Sequence, residues 1–228
     1  AYNNRGYVYF QRAEFDRAIA DFDEALRINP GMASAYVNRG SARKIKGDLN
    51  GAMADFSQAL AIDKNYFEAL NDRGTLRQDV GDLQGAMDDF NRAIETKPKR
   101  AETYYHRGYL LVALRDFDGA MNDFNRALEL NPNFAEAYQG RGTALFFKNQ
   151  LERAITDLNR ALELNQNLQF AYVNRGLALI LQGKDAEAAR DFEHALRLKP
   201  ELRAEIELRS RIARGLRALF ESMKKPRS

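Results

Sequence analysis

Six arginines and six aspartates recur in step along this chain: Arg5, Arg39, Arg73, Arg107, Arg141 and Arg175, with Asp21, Asp55, Asp89, Asp123, Asp157 and Asp191. A guanidinium presents a planar fork of N–H donors that meets a carboxylate or phosphate with two parallel hydrogen bonds. Such a series can fix packing through Arg–Asp pairs within or between units, or it can offer cations to an anionic ligand. Because every arginine has an acid in step with it, pairing is the economical reading. An exposed pair contributes only about 0–1 kcal/mol, whereas breaking a buried one costs about 3–5 kcal/mol.

Little else in the chain supports chemistry. The 228 residues include no cysteine, which excludes disulfides, thiolate metal sites and a cysteine nucleophile. His106 and His194 are the only histidines, too few for a histidine-based metal centre. No nucleophile–base–acid set recurs, and there is no P-loop, dinucleotide glycine fingerprint or metal-ligand spacing. The chain is therefore expected to be non-enzymatic, with no cofactor and no metal. No apolar run approaches the roughly 18 residues that cross a bilayer, and no basic-then-apolar leader opens the sequence. No membrane span and a cytoplasmic location are the resulting expectations. The net charge of +3 is unevenly placed: residues 209–228 sum to +6 and residues 1–208 to −3. A mildly acidic body does not suit specific nucleic-acid binding.

The elements that position the arginines follow from a repeat. Glycine follows each arginine, at Gly6, Gly40, Gly74, Gly108, Gly142 and Gly176, in steps of 34 residues without insertion or deletion. Two alanines keep the same period, as Ala120 and Ala127 do in the fourth unit. Between them stands an aromatic at Phe22, Phe56, Phe90, Phe124 and Phe192, replaced once by Leu158. Within that fourth unit Tyr104, Arg107, Gly108 and Leu111 follow the i, i+3, i+4, i+7 spacing of one helical face. Phe117, Ala120, Phe124 and Ala127 then line a second helix after a turn at Arg115-Asp116, and Pro132 stops it. A mid-helix glycine costs about 1 kcal/mol relative to alanine. Six in step predict a partner helix so close that a Cβ has no room, with the alanines as the matching small surface.

Gly6, Tyr9, Ala18, Phe22, Ala25 and Pro30 carry a pattern that resembles the tetratricopeptide repeat, which runs Trp-x2-Leu-Gly-x2-Tyr, Ala-x3-Phe, a second alanine and a final proline. The resemblance covers residues 1–202 as six units: 1–32, 33–66, 67–100, 101–134, 135–168 and 169–202. It implies an all-α, right-handed superhelical solenoid of antiparallel helix pairs. Residues 203–224 resemble the family's capping helix, with Ile206, Ala213, Leu216, Phe220 and Met223 on one stripe, and 225–228 form a basic tail. Two departures stand out. The family's leucine before glycine is arginine in all six units, and its leading tryptophan is tyrosine, or Leu70 once.

The family's arrays are protein-interaction scaffolds whose first helices line a concave groove, so the resemblance implies a module that binds a peptide segment of a partner protein. The residues just before each arginine are expected to face that groove: Asn4, Asn38, Asp72, His106, Gly140 and Asn174. Asn4, Asn38 and Asn174 resemble part of the asparagine ladder with which the O-linked N-acetylglucosamine transferase and kinesin light chain arrays hold a peptide backbone. Glu68, Glu102 and Glu136 take the places where chaperone-tail binders carry a carboxylate clamp, and would repel an acidic tail. Tyr105, Tyr109, Phe146 and Phe147 add an aromatic wall. Phe146 and Phe147 are about 100° apart on a helix, so at least one is expected to be an apolar anchor in the groove. The implied ligand is apolar against units 4–6 and neutral or basic near the acids of units 3–5. The alternative is a homo-oligomeric scaffold, in which the basic C-terminal helix of one copy docks in the acidic groove of another.

Overall fold

The computed structural model describes residues 1–224, and the basic tail at 225–228 lies outside them. Among the described residues there are thirteen α-helices, one short 3-10 turn and no strand. The helices come as six tandem pairs: α1 (Tyr2–Gln11) with α2 (Phe15–Ile28), α3 (Ala33–Ile45) with α4 (Leu49–Ile62), and α5 (Phe67–Asp79) with α6 (Leu83–Thr96). Then follow α7 (Ala101–Ala113) with α8 (Phe117–Leu130), α9 (Ala135–Phe147) with α10 (Leu151–Leu164), and α11 (Gln169–Leu181) with α12 (Asp185–Leu198). α13 (Arg203–Lys224) closes the series. The contacts divide the chain into two compact units, Ala1–His106 and the residues from Arg107 onward, with the boundary inside α7.

The turn inside each pair has its own chemistry. Asp48, Asp82 and Asp116 cap α4, α6 and α8, each carboxylate accepting from the backbone N–H of Gly51, Gly85 or Gly119 at 2.9–3.0 Å. The preceding residue is left-handed. Glycine fills that place at Gly47, Gly81 and Gly183, but Ala13, Arg115 and Asn149 hold φ of 58°, 63° and 57° there.

The repeated glycines sit where the sequence places them, against the second helix. A Cβ on Gly108 would lie 2.8 Å from Cε1 of Phe124, and one on Gly6, Gly40, Gly74 or Gly176 would meet its own unit's phenylalanine at 2.5–2.8 Å. Phe22, Phe56, Phe90 and Phe124 are fully buried as a result, beside Ala18, Ala52, Ala86, Ala120 and Ala127. Gly140 has the same cause from the other side, since its Cβ would stand 2.5 Å from Cε1 and Cζ of Phe124. It interrupts the asparagine series because the ring of the preceding pair fills that space.

All six Arg–Asp pairs form within a unit. Each arginine donates from Nε and Nη2 to the two oxygens of the aspartate sixteen residues on, as in Arg107–Asp123 at 2.7 and 2.7 Å and Arg73–Asp89 at 2.8 and 2.7 Å. Nη1 reaches back to the previous second helix, Arg141 to Asn125 at 2.7 Å and Arg175 to Asn159 at 2.7 Å. The tyrosine three residues earlier lies under the guanidinium, with Arg39 5.4 Å above Tyr36 and Arg175 5.6 Å above Tyr172. In the third unit Leu70 takes the tyrosine's place, and Arg73 pairs with Asp89 all the same. The arginines bind the fold's own carboxylates.

α13 occupies the place of a seventh first helix. Arg209-Ser210 stands 34 residues after Arg175-Gly176, and Ile206 and Ala213 join the core of Leu177, Phe192 and Ala195. The single stripe expected on this helix is split. Ile206 and Ala213 are buried, whereas Leu216, Phe220 and Met223 are exposed. Length is the reason: α13 has 22 residues and α11 only 13, so the second half of α13 extends past the helix that it covers.

Candidate functional site

Side chains of successive first helices meet on one face. In the first compact unit that face is polar. Asn38 donates to Asn3 at 3.1 Å, Ser41 to Asp72 at 3.3 Å, Lys44 to Thr75 at 3.0 Å and Thr103 to Asn71 at 3.2 Å. His106 is stacked on Phe90 with centroids 6.1 Å apart, beside Tyr105 at 5.1 Å. Burial, helped by the charge of Lys44, pulls its imidazole down to about 4, so it is neutral near pH 7. Burial pushes the Asp72 carboxyl the other way, above the usual carboxylate range. Asn4 is exposed. The acids are less free than their spacing implies: Glu68 accepts from Lys97 at 2.8 Å, and Glu102 lies 3.4 Å from Arg100. The Lys97 hydrogen bond holds the Glu68 carboxyl below its ordinary value against the opposing effect of burial.

In the second unit, taken by itself, the face of the first helices is apolar and concave. Gln139 donates to the Tyr109 hydroxyl at 2.6 Å, and the Tyr109 ring stands edge-on to Phe124 at 5.8 Å. Glu136 is half-buried on the first turn of α9. Beyond them α9, α11 and α13 enclose a cleft of about 690 Å³ walled by Phe146, Phe147, Leu181, Ile212, Leu216 and Phe220. Phe146 is half-buried against the core, and Phe147 is half-exposed and stacked on Phe117 at 5.2 Å. Both rings line the cleft, because its mouth spans the adjacent directions in which two neighbouring residues point.

The polar floor of this cleft is a chain of hydrogen bonds. Thr143 donates to the Gln139 carbonyl at 2.8 Å and accepts from Asn174 at 2.9 Å, while Arg209 donates to Asn174 at 2.9 Å and to Glu205 at 2.9 Å. Asn174 is thus buried with both ends of its amide engaged, and it holds α13 in place where the ladder reading has it holding a peptide backbone. The arrangement has a physical cause: Arg209, at the seventh arginine place, has no aspartate in step and turns to Asn174. Thr143, Leu177 and Arg209 are absent from the sequence-based candidates. The 34-residue step, extended past Gly176, is the signal that reaches Arg209.

Two further arginines of α13 are also engaged. Arg217 donates to the Ile180 carbonyl at 2.9 Å and to Asp185 at 2.5 Å, and Arg214 reaches Asp185 at 3.2 Å. Those hydrogen bonds, Arg217's foremost, hold the Asp185 carboxyl below its ordinary range. Among the described residues no cluster of His, Cys, Asp and Glu could hold a metal ion, and no helix is long and apolar enough to cross a membrane.

Solved structures share the fold. A tetratricopeptide repeat protein from Parabacteroides merdae is 21% identical, with 99% of this chain and 93% of that one covered and a TM-score of 0.72. YrrB, described as a TPR protein with an unusual peptide-binding site, is 23% identical over 85% of this chain and 97% of its own, with a TM-score of 0.64. The MamA protein is 25% identical over 75% and 94%, with a TM-score of 0.61. No curated protein matches the sequence. Profiles of the tetratricopeptide repeat match residues 1–32, 33–66, 101–134, 124–156 and 169–202, and a further TPR-repeat profile matches 142–183. With matches over most of its length and helix pairs in tandem throughout, the chain belongs to the tetratricopeptide repeat family, as a protein-interaction module.

Proposed function

We propose that this module is non-enzymatic and binds a peptide segment of a partner protein, with apolar side chains of the peptide entering the cleft between α9, α11 and α13. One observation carries the reading. The cleft has about 690 Å³ of space behind mainly apolar walls, and its polar floor is already satisfied by Thr143, Asn174, Arg209 and Glu205. A ligand there gains by removing Phe147, Leu216 and Phe220 from water, all about half-exposed now. YrrB supports the class of ligand, since it is described as carrying a peptide-binding site. Docking of a basic helix into an acidic groove has less support. Arg209, Arg214 and Arg217 are engaged within their own chain, and Glu68 and Glu102 have cations beside them.

The reading is tested with a random peptide library displayed on phage and selected on the immobilised protein. Selected peptides should share two bulky apolar residues and bind Phe147→Asp at least about tenfold more weakly, a loss of about 1.4 kcal/mol. Peptides that bind wild type and Phe147→Asp equally would place the site elsewhere.

A further inference from the structure

α13 carries a second apolar surface that only partly overlaps the cleft. Leu208, Ile212, Leu216, Leu219 and Met223 are 44–72% exposed. At about 100° per residue they fall within a sector of about 80° on one side of the helix. A single exposed leucine needs no explanation, but five in a row along one helix form a packing face without a partner.

Two features say what covers it. The stripe reads the same from either end: Leu208 and Ile212, then Gly215-Leu216, then Leu219 and Met223, with steps of four, three, one, three and four residues. Its centre lies between Gly215 and Leu216, and a Cβ on that glycine would meet nothing within 4 Å, unlike the repeat glycines, each of which abuts a side chain. A mid-helix glycine costs about 1 kcal/mol relative to alanine, and nothing within the chain calls for this one. At the crossing point of two helices it would let the backbones approach closely.

Charge runs the same way. Residues 201–207 carry Glu201, Glu205 and Glu207 against Arg203, whereas residues 211–224 carry four cations against Glu221. An antiparallel neighbour sets the acidic end of one helix beside the basic end of the other, and a parallel neighbour opposes like ends. The seat of a missing second helix is not what the stripe provides. That seat lies on the side of Ser210, at the glycine place, and there Glu207, Arg211 and Arg214 surround the recess beside Phe192.

We infer that two copies of this chain pair through α13, antiparallel about a two-fold axis between Gly215 and Leu216. Leu208 then faces Met223 of the partner subunit, and Ile212 faces Leu219 of the partner subunit. The contact is isologous, so it closes at two copies. It shares Ile212 and Leu216 with the cleft, whereas neither Leu208 nor Leu219 lines it.

The absence of native cysteine makes the geometry directly testable. Single-cysteine variants of the whole chain are oxidised mildly and read by non-reducing gel. Gly215→Cys should crosslink to itself. Leu208→Cys and Met223→Cys should each stay uncrosslinked alone, being about 22 Å apart along the helix, and crosslink when mixed. Sedimentation equilibrium should give twice the 26.0 kDa chain mass for wild type. Leu219→Glu should give a single chain with unchanged helix content by circular dichroism. Self-crosslinking of Leu208→Cys would establish a parallel pair and overturn the proposal. So would a wild-type monomer at concentrations on the order of 0.5 mM, or a Leu219→Glu protein that remains a dimer. Leu219→Glu should still bind the selected peptides, at least as tightly as wild type because Ile212 and Leu216 are freed, so loss of the dimer and loss of the peptide site read out separately.

Discussion

Removing the carboxylate of Asp89 tests whether the Arg–Asp series holds the fold together. Asp89 is 1% exposed and receives Arg73 through Nε and Nη2 and Arg77 through Nη1, at 2.7–2.8 Å. In Asp89→Ala, Arg73 keeps only a long hydrogen bond to Ser57 at 3.3 Å, in a setting where its side chain is 12% exposed. Breaking a buried pair on one side costs about 3–5 kcal/mol, because a desolvated charge is left behind. Arg77 is more exposed and retains Asp82 at 3.4 Å, so the lower end of that range, about 3 kcal/mol, is expected. With a urea slope of about 2–3 kcal/mol/M this lowers the midpoint by about 1 M. Asp21→Ala makes the same chemical change opposite Arg5, whose side chain is 58% exposed and can turn to water, so its effect should be much smaller. Urea unfolding followed by circular dichroism measures both. Hydrogen exchange in α5 and α6 shows whether the loss is local, as the nearest-neighbour energetics of repeat arrays predict. Equal shifts for the two variants would refute the argument from burial.

Three further outcomes follow from the same geometry. Gly108→Ala and Gly140→Ala both press on the Phe124 ring, at 2.8 and 2.5 Å, and each should destabilise by about 1–2 kcal/mol in urea titrations after the gain in helix propensity is deducted. Ala13→Gly relieves a left-handed alanine with φ of 58° and should stabilise by about 0.5–1 kcal/mol, raising the melting temperature by about 1–4 °C. His106 gives a pH dependence: its folded pKa of about 4 lies below the unfolded 6.5, so between those values the unfolded chain binds more protons. Its contribution is full above pH 6.5 and lost as pH falls toward 4, on the order of 3 kcal/mol. His106→Gln should flatten unfolding free energy against pH in that window, where Lys44, Glu102 and Asp79 are the charges nearby.

The fold was legible because its causes repeat. One step of 34 residues places an arginine against an aspartate six times over and a glycine against a phenylalanine five times, with Leu158 once in its place, so helix pairing could be read from spacing alone. The face of the first helices was less legible because its contacts cross between repeats and differ from one to the next. Lys97 is 29 residues from Glu68, and Asn174 is 35 from Arg209, spacings that no single unit displays. Phe146 and Phe147 pointed toward the cleft, but the wall opposite them comes from α13, whose placement depends on Arg209 and Arg217 finding partners on α11 and α12. Gly140 read as a gap in an asparagine series, and only the ring of Phe124 explains it.

The central claim, that the cleft between α9, α11 and α13 receives the peptide, is tested most directly by amide and methyl chemical-shift mapping. The isotope-labelled protein is titrated with a peptide selected on it. The largest shifts are predicted at Thr143, Phe146, Leu177, Leu181 and Ile212, with the polar face around Asn38 and Asp72 unchanged. Shifts confined to that polar face, or to the second helices, would contradict it.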